Sequence, residues 1–185
     1  MEAPEYPAMA GVFAVALRRN LPKVVGPEAF EHTLAALSEE HRLELEGTTS
    51  LGWASLAMVS AVVEAAAAVT KRDPLEVNAS ITRLNMDMTI RGVWRLMLKA
   101  VTDRMIIQRA PALYTRAYNR GDVSSEWVAR GHARLRIEKW PDINEYALRS
   151  GGVALEALLE HAGRSDVQTA FERTDDGASL EARWR

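Results

Sequence analysis

The spacing of apolar residues changes from helical to alternating in the second half of the chain. Before Pro111 apolar residues recur at helical spacing, most clearly from Leu51 to Val69. After it, Ala133, Leu135 and Ile137 alternate with polar residues, which predicts a strand. Helices followed by strands, without strand–helix–strand alternation, favour an α+β fold. We expect an N-terminal helical layer packed on a C-terminal antiparallel sheet, with an intervening helix.

Prolines and N-cap residues divide the first half into helices. The predicted helices are Gly11–Leu21, one from Pro27, Leu51–Thr70 capped by Thr48–Ser50, one from Pro74 to about Met88, and one from Asp103 that ends before Pro111. The segment His41–Gly47 fits either a short strand or a frayed helix end. Residues 1–9 contain Pro4 and Pro7, and we expect them to form a flexible arm before a single α+β domain over residues 10–185.

Turn signals organise the second half of the chain. We expect Leu113–Tyr118 to be extended, and we expect a helix capped by Asp142 and Glu145 to be interrupted at Gly151 and Gly152. The last two strands form a hairpin through the sequence Asp-Asp-Gly, which favours a tight turn. Four apolar residues share one face of the closing strand: Ala178, Leu180, Ala182 and Trp184.

Composition limits the kinds of function. Of the 185 residues, 48% are hydrophobic and 26% are charged, which is typical of a globular domain. The net charge of −2 provides no general attraction to nucleic acid. Without cysteine the chain can form neither disulfides nor thiolate zinc sites. We expect a cytoplasmic protein without a membrane span, because the most apolar helix is rich in alanine and contains Glu64.

No motif of known catalytic or metal-binding type is present. The chain lacks a Gly-x-Ser-x-Gly elbow and the glycine patterns that bind phosphate. Its histidines show no short ligand spacing: His32, His41, His132 and His161. We therefore predict no catalytic residue, no metal and no cofactor.

Methionines and tryptophans in the helical part suit an apolar ligand pocket. Such side chains line adaptable cavities, although they also fill ordinary cores. An acid inside an apolar helix could act as an acid or base if it were buried. The candidate pocket residues are Trp53, Met58, Glu64, Met86, Trp94 and Met97. For Glu64 the competing explanation is a modest polar stripe shared with Ser60.

Three basic residues recur at four-residue steps and form a basic stripe. Arg91, Arg95 and Lys99 lie on one side of a predicted helix. The stripe could bind phosphate or an acidic partner. A solvated helix face would have the same pattern.

Several segments resemble a bacterial domain family of unknown function and about this length. The resemblance rests on Gly11-x-Phe13, Pro111–Gly121, the strand Gly131–Trp140 with Pro141, the Gly152 helix ending at Gly163, and the closing hairpin to Trp184. More distantly, the order of elements is similar to the ligand-binding fold of 4-vinyl reductase domains, TRAPP subunits and haem nitric-oxide-binding proteins. This second resemblance implies an apolar pocket and a dimer.

Haem is not expected from that resemblance. The haem branch carries a Tyr-x-Ser-x-Arg motif, and the nearest stretch here, Tyr114–Arg116, lacks its spacing. No histidine matches the proximal ligand. The resemblance therefore transfers no binding residue to this chain.

These observations predict a non-catalytic binding or sensory module for a small apolar ligand or a protein partner. Two alternatives stay open: a small enzyme with an apolar pocket and a Glu or Tyr acid–base group, and a structural dimeric interaction protein. We expect a homodimer formed through helices, in particular through Val12, Phe13 and Leu17 of the first helix. A closing strand at a sheet edge is the second route to a dimer.

Overall fold

Helices fill most of the first half of the computed structural model, and an antiparallel sheet dominates the second half. The structure describes residues 3–90, 97–98 and 100–185. The helices are α1 (Gly11–Val25), α2 (Pro27–Ala36), α3 (Glu39–Gly47), α4 (Leu56–Thr70), α5 (Pro74–Thr89), α6 (Asp103–Ala117) and α7 (Glu145–His161). The strands are β1 (Ala8–Ala10), β2 (Trp53–Ser55), β3 (Asp122–Ala129), β4 (His132–Glu138), β5 (Gln168–Thr174) and β6 (Gly177–Arg183). This order confirms the predicted α+β class.

The chain divides into two compact units. The first unit runs to Ile81 and includes Arg116–Asn119, and the second contains Thr82–Thr115 and Arg120–Arg185. The single domain expected from the sequence stays a prediction.

Helix α4 supplies most of the core of the first unit. It begins at Leu56 because the Ser55 hydroxyl accepts a hydrogen bond from the Met58 N–H at 3.1 Å. The buried residues of α4 are Leu56, Met58, Val59, Val62, Val63, Ala66 and Ala67. The predicted start at Leu51 is wrong, because β2 intervenes and Ser55 is the cap. No helix within the described ranges, α4 included, has the length and apolar character needed to cross a membrane.

Strand β1 includes part of the segment that the sequence assigned to an arm. Ala8–Ala10 pairs antiparallel with β2, and Ala8 is fully buried. The side chain of Asn119 accepts a hydrogen bond from the Ala8 N–H at 2.8 Å and donates to the carbonyls of Pro4 and Tyr6. A three-residue strand is too short to show a period, so the sequence contained no sign of this pairing.

Two helices continue through prolines at which the sequence predicted their ends. Helix α1 passes through Pro22 and ends at Val25, where the Gly26 N–H still donates to the Pro22 carbonyl. Helix α6 passes through Pro111, so the predicted extended stretch is helical as far as Ala117. An interior proline costs about 3 kcal/mol through one lost hydrogen bond and a backbone clash. Packing of the rest of each helix outweighs that cost.

Segment 41–47, which the sequence left undecided, belongs to a helix. It forms most of α3, which begins after Ser38 because that hydroxyl accepts a hydrogen bond from the His41 N–H at 3.2 Å. Leu45 is the buried residue of this helix, and Leu43 is 57% exposed. The alternation of the two leucines therefore separates a buried side from a solvent side of a short helix.

The second unit is built on a four-stranded antiparallel sheet with the order β3-β4-β6-β5. In its register Leu135 lies opposite Leu180, and both are buried. Helices α6 and α7 supply the other side of this core: Ile106, Ile107, Leu155, Leu159 and Ala162. The closing strand β6 lies between two neighbours, so the expectation that it forms a sheet edge is wrong. The edges are β3, whose strand pattern the sequence did not indicate, and β5.

Helix α7 is continuous across the two glycines that were expected to interrupt it. Its N-cap is Asn144, which accepts a hydrogen bond from the Ala147 N–H at 2.8 Å. A Cβ atom at Gly152 would lie 2.7 Å from the Thr169 hydroxyl of β5, whereas a Cβ at Gly151 would meet nothing. Gly152 is therefore a packing contact that lets the helix approach the sheet, and not a helix break.

Candidate functional site

The predicted pocket residues of the first unit lie on different sides of its elements. Met58 is fully buried in α4, and Trp53 is half-buried in β2 opposite Ala10. Glu64 is exposed, because it follows Met58 by six residues in the helix and therefore lies on a different side of α4. The enzyme alternative named a Glu or a Tyr as its acid–base group, and Glu64 is not a buried acid.

The pocket candidates of the second unit are less buried than the sequence suggested. Met86 is half-buried in α5, and the side chain of Met97 is 54% exposed. Trp94 and the basic stripe of Arg91, Arg95 and Lys99 lie outside the described residues. Of the candidates that the structure describes, Met58 alone is buried. Their role in ligand binding stays a prediction.

Charged side chains join the end of α5 to α7 in the second unit. Asp87 Oδ1 lies 2.8 Å from His161 Nε2 and 3.5 Å from Arg83 Nε. Arg83 also pairs with Glu160, and this bond is the largest influence that raises the pKa of the guanidinium. His161, which the sequence placed at a helix C-terminus, thus has a carboxylate partner.

The outer face of the sheet carries a second polar cluster. Arg134 Nε donates to Glu181 Oε1 at 2.6 Å, and the ring of His132 contacts the other oxygen of the same carboxylate. The bond from His132 and then that from Arg134 hold the pKa of Glu181 below its ordinary value. These pairs hold β4 and β6 in register, because both strands contribute to them.

A third cluster lies at the start of α6. Trp184 Nε1 donates to Asp103 Oδ2 at 2.9 Å, and Arg164 pairs with Oδ1 of the same carboxylate. Arg164 also donates to the carbonyls of Ala162, at 2.6 Å, and Val101. Desolvation opposes ionisation of Asp103, but the bonds from Trp184 and Arg164 outweigh it, so its pKa is lowered. The sequence identified Asp103 only as a helix cap.

The Asp103 cluster predicts a pH-dependent contribution to stability. A carboxyl with a lowered pKa in the folded state stabilises the protein above its unfolded pKa of about 3.9, and the contribution disappears as pH falls through the folded pKa. We expect Asp103→Asn to lower the free energy of unfolding by about 1–2 kcal/mol at neutral pH. We also expect its acid-range slope to be shallower than that of the wild type.

Urea unfolding between neutral and acid pH measures both quantities. Asp142→Asn, at an exposed carboxyl, is the matched control and should change the free energy of unfolding at neutral pH by less than about 0.5 kcal/mol. Equal slopes for Asp103→Asn and the wild type would show that the cluster does not favour the ionised carboxyl.

None of these clusters has the composition of a metal centre. Within residues 3–90, 97–98 and 100–185, no three His, Asp or Glu side chains are grouped so that they could hold a metal ion. The clusters are ion pairs and hydrogen bonds that join elements of the second unit.

The observed elements define a class of fold: a helical N-terminal part, followed by a four-stranded antiparallel sheet that carries one long helix. Solved structures to which this chain is similar include H-NOX proteins. The Fe(II) unliganded H-NOX protein from K. algicida has a TM-score of 0.70 at 12% identity, covering 96% of this chain and 97% of that one. The H-NOX protein from S. oneidensis in the Fe(II)NO ligation state gives 0.68 at 11% identity, covering 96% and 99%.

A third similar structure is an oxygen-binding H-NOX domain related to soluble guanylate cyclases. Its TM-score is 0.67 at 11% identity, covering 96% of this chain and 95% of that one. No family model and no curated protein matches the sequence. At these identities the likeness shows the fold, and it supports the distant resemblance to the haem nitric-oxide-binding fold.

Two of the four histidines of this chain, His132 and His161, are paired with carboxylates. Haem iron is held by an axial His, Cys or Tyr, or by Met together with His. His132 and His161 are engaged by Glu181 and Asp87. The two other histidines lie on the surface helices α2 and α3, where His32 is exposed.

The remaining ligand types do not replace histidine. The sequence contains no cysteine, and residues 91–96 and 99 include no His, Met or Tyr. Tyr118 is buried, and burial raises the pKa of its hydroxyl to about 12, which opposes a phenolate ligand. The paired histidines, the absence of cysteine and the buried Tyr118 do not fit the axial ligation of haem.

Proposed function

We propose that this chain is a cytoplasmic, non-catalytic sensory or binding module that holds a small apolar ligand or a protein partner without haem. The observation that carries the proposal is the likeness to H-NOX structures over 96% of the chain. Those proteins include an oxygen-binding domain and a protein in an Fe(II)NO ligation state. Here the fold is retained without residues that suit the iron.

The ligand site that we propose lies in the apolar interior of the first unit. Met58 is fully buried at the first turn of α4, and it is followed on the same buried side by Val62 and Ala66. Small and flexible side chains of this kind adapt to an apolar guest. Trp53, half-buried in the adjoining β2, is the aromatic residue of this proposed site.

Native mass spectrometry of the protein purified from its own host tests the proposal. We expect a mass above that of the chain alone, 20.5 kDa, by the mass of a small apolar molecule. Met58→Trp fills the proposed site with a larger side chain and should reduce the bound fraction. The exposed control Leu51→Trp should retain it. An unliganded chain that also captures no partner in its host would contradict the proposal.

The same preparation tests the absence of haem and zinc. We expect no Soret band after haemin is added in excess and removed, because His132 and His161 are paired with carboxylates and His32 is exposed on a surface helix. We also expect no stoichiometric zinc by elemental analysis. A Soret band that is lost on His161→Ala or His132→Ala would show that a histidine leaves its carboxylate to bind iron, and would overturn this part of the proposal.

A further inference from the structure

Helix α6 presents a basic and partly apolar face to solvent. Arg104 and Arg109 are exposed, and the side chains of Met105 and Leu113 are 46% and 49% exposed. The opposite side of the helix is buried in the core of the second unit. We call these four residues the α6 face.

The arginines of the α6 face form no ion pair with the residues that the structure describes. From residue 104 to residue 121 the sequence contains arginine at four positions and no acidic residue. Arg104 and Arg109 form no ion pair with any residue of the described ranges, in contrast to Arg134 and Arg164. Arginine and methionine are the side chains enriched at protein interfaces, where bidentate pairing with a carboxylate is available.

Helix α3 presents a face of the opposite charge. Glu40 and Glu46 are exposed on either side of Leu43, whose side chain is 57% exposed. The neighbouring Glu44 differs, because its carboxylate is occupied by the N–H and hydroxyl of Ser55 at 2.6 and 2.8 Å. Neither Glu40 nor Glu46 forms an ion pair in the part of the chain that the structure describes. Glu40, Leu43 and Glu46 form the α3 face.

We propose that the α3 face of one copy of this chain docks on the α6 face of a second copy. Each face carries two charges of one sign that form no ion pair in the described ranges, and the signs are opposite. Each face also places exposed apolar side chains beside its charges, Leu43 on one and Met105 and Leu113 on the other. Two short helical faces of this composition form a contact that is weak and falls with ionic strength.

A second copy fits the α6 face better than other anionic partners. A membrane-surface helix needs a continuous apolar side to insert, and that side of α6 is occupied by the core. Nucleic acid would meet a chain whose net charge is −2. The first helix is a weaker candidate for self-association, because Leu17 is buried and only Val12 and Phe13 of the predicted patch are exposed.

Charge reversal on each face separates these partners. The α6 variant is Arg104→Glu with Arg109→Glu, and the α3 variant is Glu40→Lys with Glu46→Lys. Sedimentation of the wild type at low ionic strength should show self-association at micromolar concentrations. Each variant alone should associate about tenfold more weakly or worse, because like charges then meet.

An equimolar mixture of the two variants gives the decisive result. In this mixture the wild-type α3 face of the α6 variant meets the wild-type α6 face of the α3 variant. The two reversed faces are also opposite in charge. We expect the mixture to regain association as a one-to-one complex. The control is Arg130→Glu with Arg173→Glu, which changes two exposed arginines. It lowers the net charge by four units, as the α6 variant does, and should associate like the wild type.

Several outcomes would overturn the proposal. The first is a wild type whose mass stays at 20.5 kDa at all micromolar concentrations tested. The second is a mixture that fails to associate although both variants keep the wild-type circular dichroism spectrum. The third is loss of association on Phe13→Asp. Binding of a monomeric wild type, but not of the α6 variant, to anionic phospholipid vesicles would assign the α6 face to a membrane instead. The proposal would also be rejected if the α6 variant and the α3 variant, each measured alone, associated as strongly as the wild type.

Discussion

Replacing Leu56 by alanine is expected to lower the free energy of unfolding by about 2–5 kcal/mol. Leu56 begins α4, and its side chain is 5% exposed beside the fully buried residues Met58, Val62 and Val63. Truncation removes apolar area from the core and leaves a cavity that the surrounding helices fill only in part. Because small domains have total stabilities of about 5–15 kcal/mol, this loss is a large fraction of the whole.

Urea denaturation followed by circular dichroism measures this loss. The matched control is Glu64→Ala on the same helix, which alters an exposed side chain and should change the stability by less than about 0.5 kcal/mol. A wild-type unfolding midpoint for Leu56→Ala would show that the buried side of α4 is misplaced. The apolar spacing of the segment Leu51–Thr70 predicts that Leu56, Val59 and Val63 are buried, and the structure confirms this burial. Their packing against the four-stranded sheet stays a prediction.

Replacing Gly11 by alanine is the second substitution with a large expected effect. The Gly11 N–H donates to the Gly52 carbonyl at 2.7 Å, and an added Cβ would lie 2.1 Å from the Thr49 carbonyl oxygen. That oxygen belongs to a backbone turn, so no side-chain rotation relieves the clash. We expect a loss of about 1–3 kcal/mol, because the turn or the start of α1 must shift.

Thermal and urea unfolding of this variant should be compared with Gly151→Ala. A Cβ at Gly151 meets nothing within 4 Å, so alanine should stabilise α7 by about 0.5–1 kcal/mol through its lower backbone entropy. Opposite signs for the two glycine substitutions are the expected result. Equal changes in the free energy of unfolding would mean that the turn at residues 49–52 does not closely contact the start of α1.

The candidate site was predictable only in part, because burial depends on which side of an element faces its neighbours. Of the pocket candidates that the sequence selected, Met58 is buried, and its role in ligand binding stays a prediction. The sequence also selected Glu64, which is exposed, since one acid in an apolar helix can face either way. It overlooked the α6 face, although the four arginines without an acid from residue 104 to residue 121 were a readable signal. That signal was masked by Pro111, which suggested the end of a helix.

The sequence by itself determined the elements whose signals lie within a few neighbouring residues. Asp73 caps α5, as its spacing to Glu76 predicted, through a bond from the Glu76 N–H at 3.0 Å. The alternation in β4 and β6 correctly separated the core side chains from the solvent side chains. Such signals are local because capping bonds and side-chain direction depend on the backbone of adjacent residues.

Only the tertiary structure decided where local rules are overridden and which distant residues meet. Helix α6 continues through Pro111 and α7 through Gly152, because packing with the sheet is worth more than the local preference. Asp103 and Trp184, which are 81 residues apart, share a hydrogen bond that the spacing of residues in the sequence does not predict. The order of the strands places β6 inside the sheet, since pairing is set by long-range backbone hydrogen bonds.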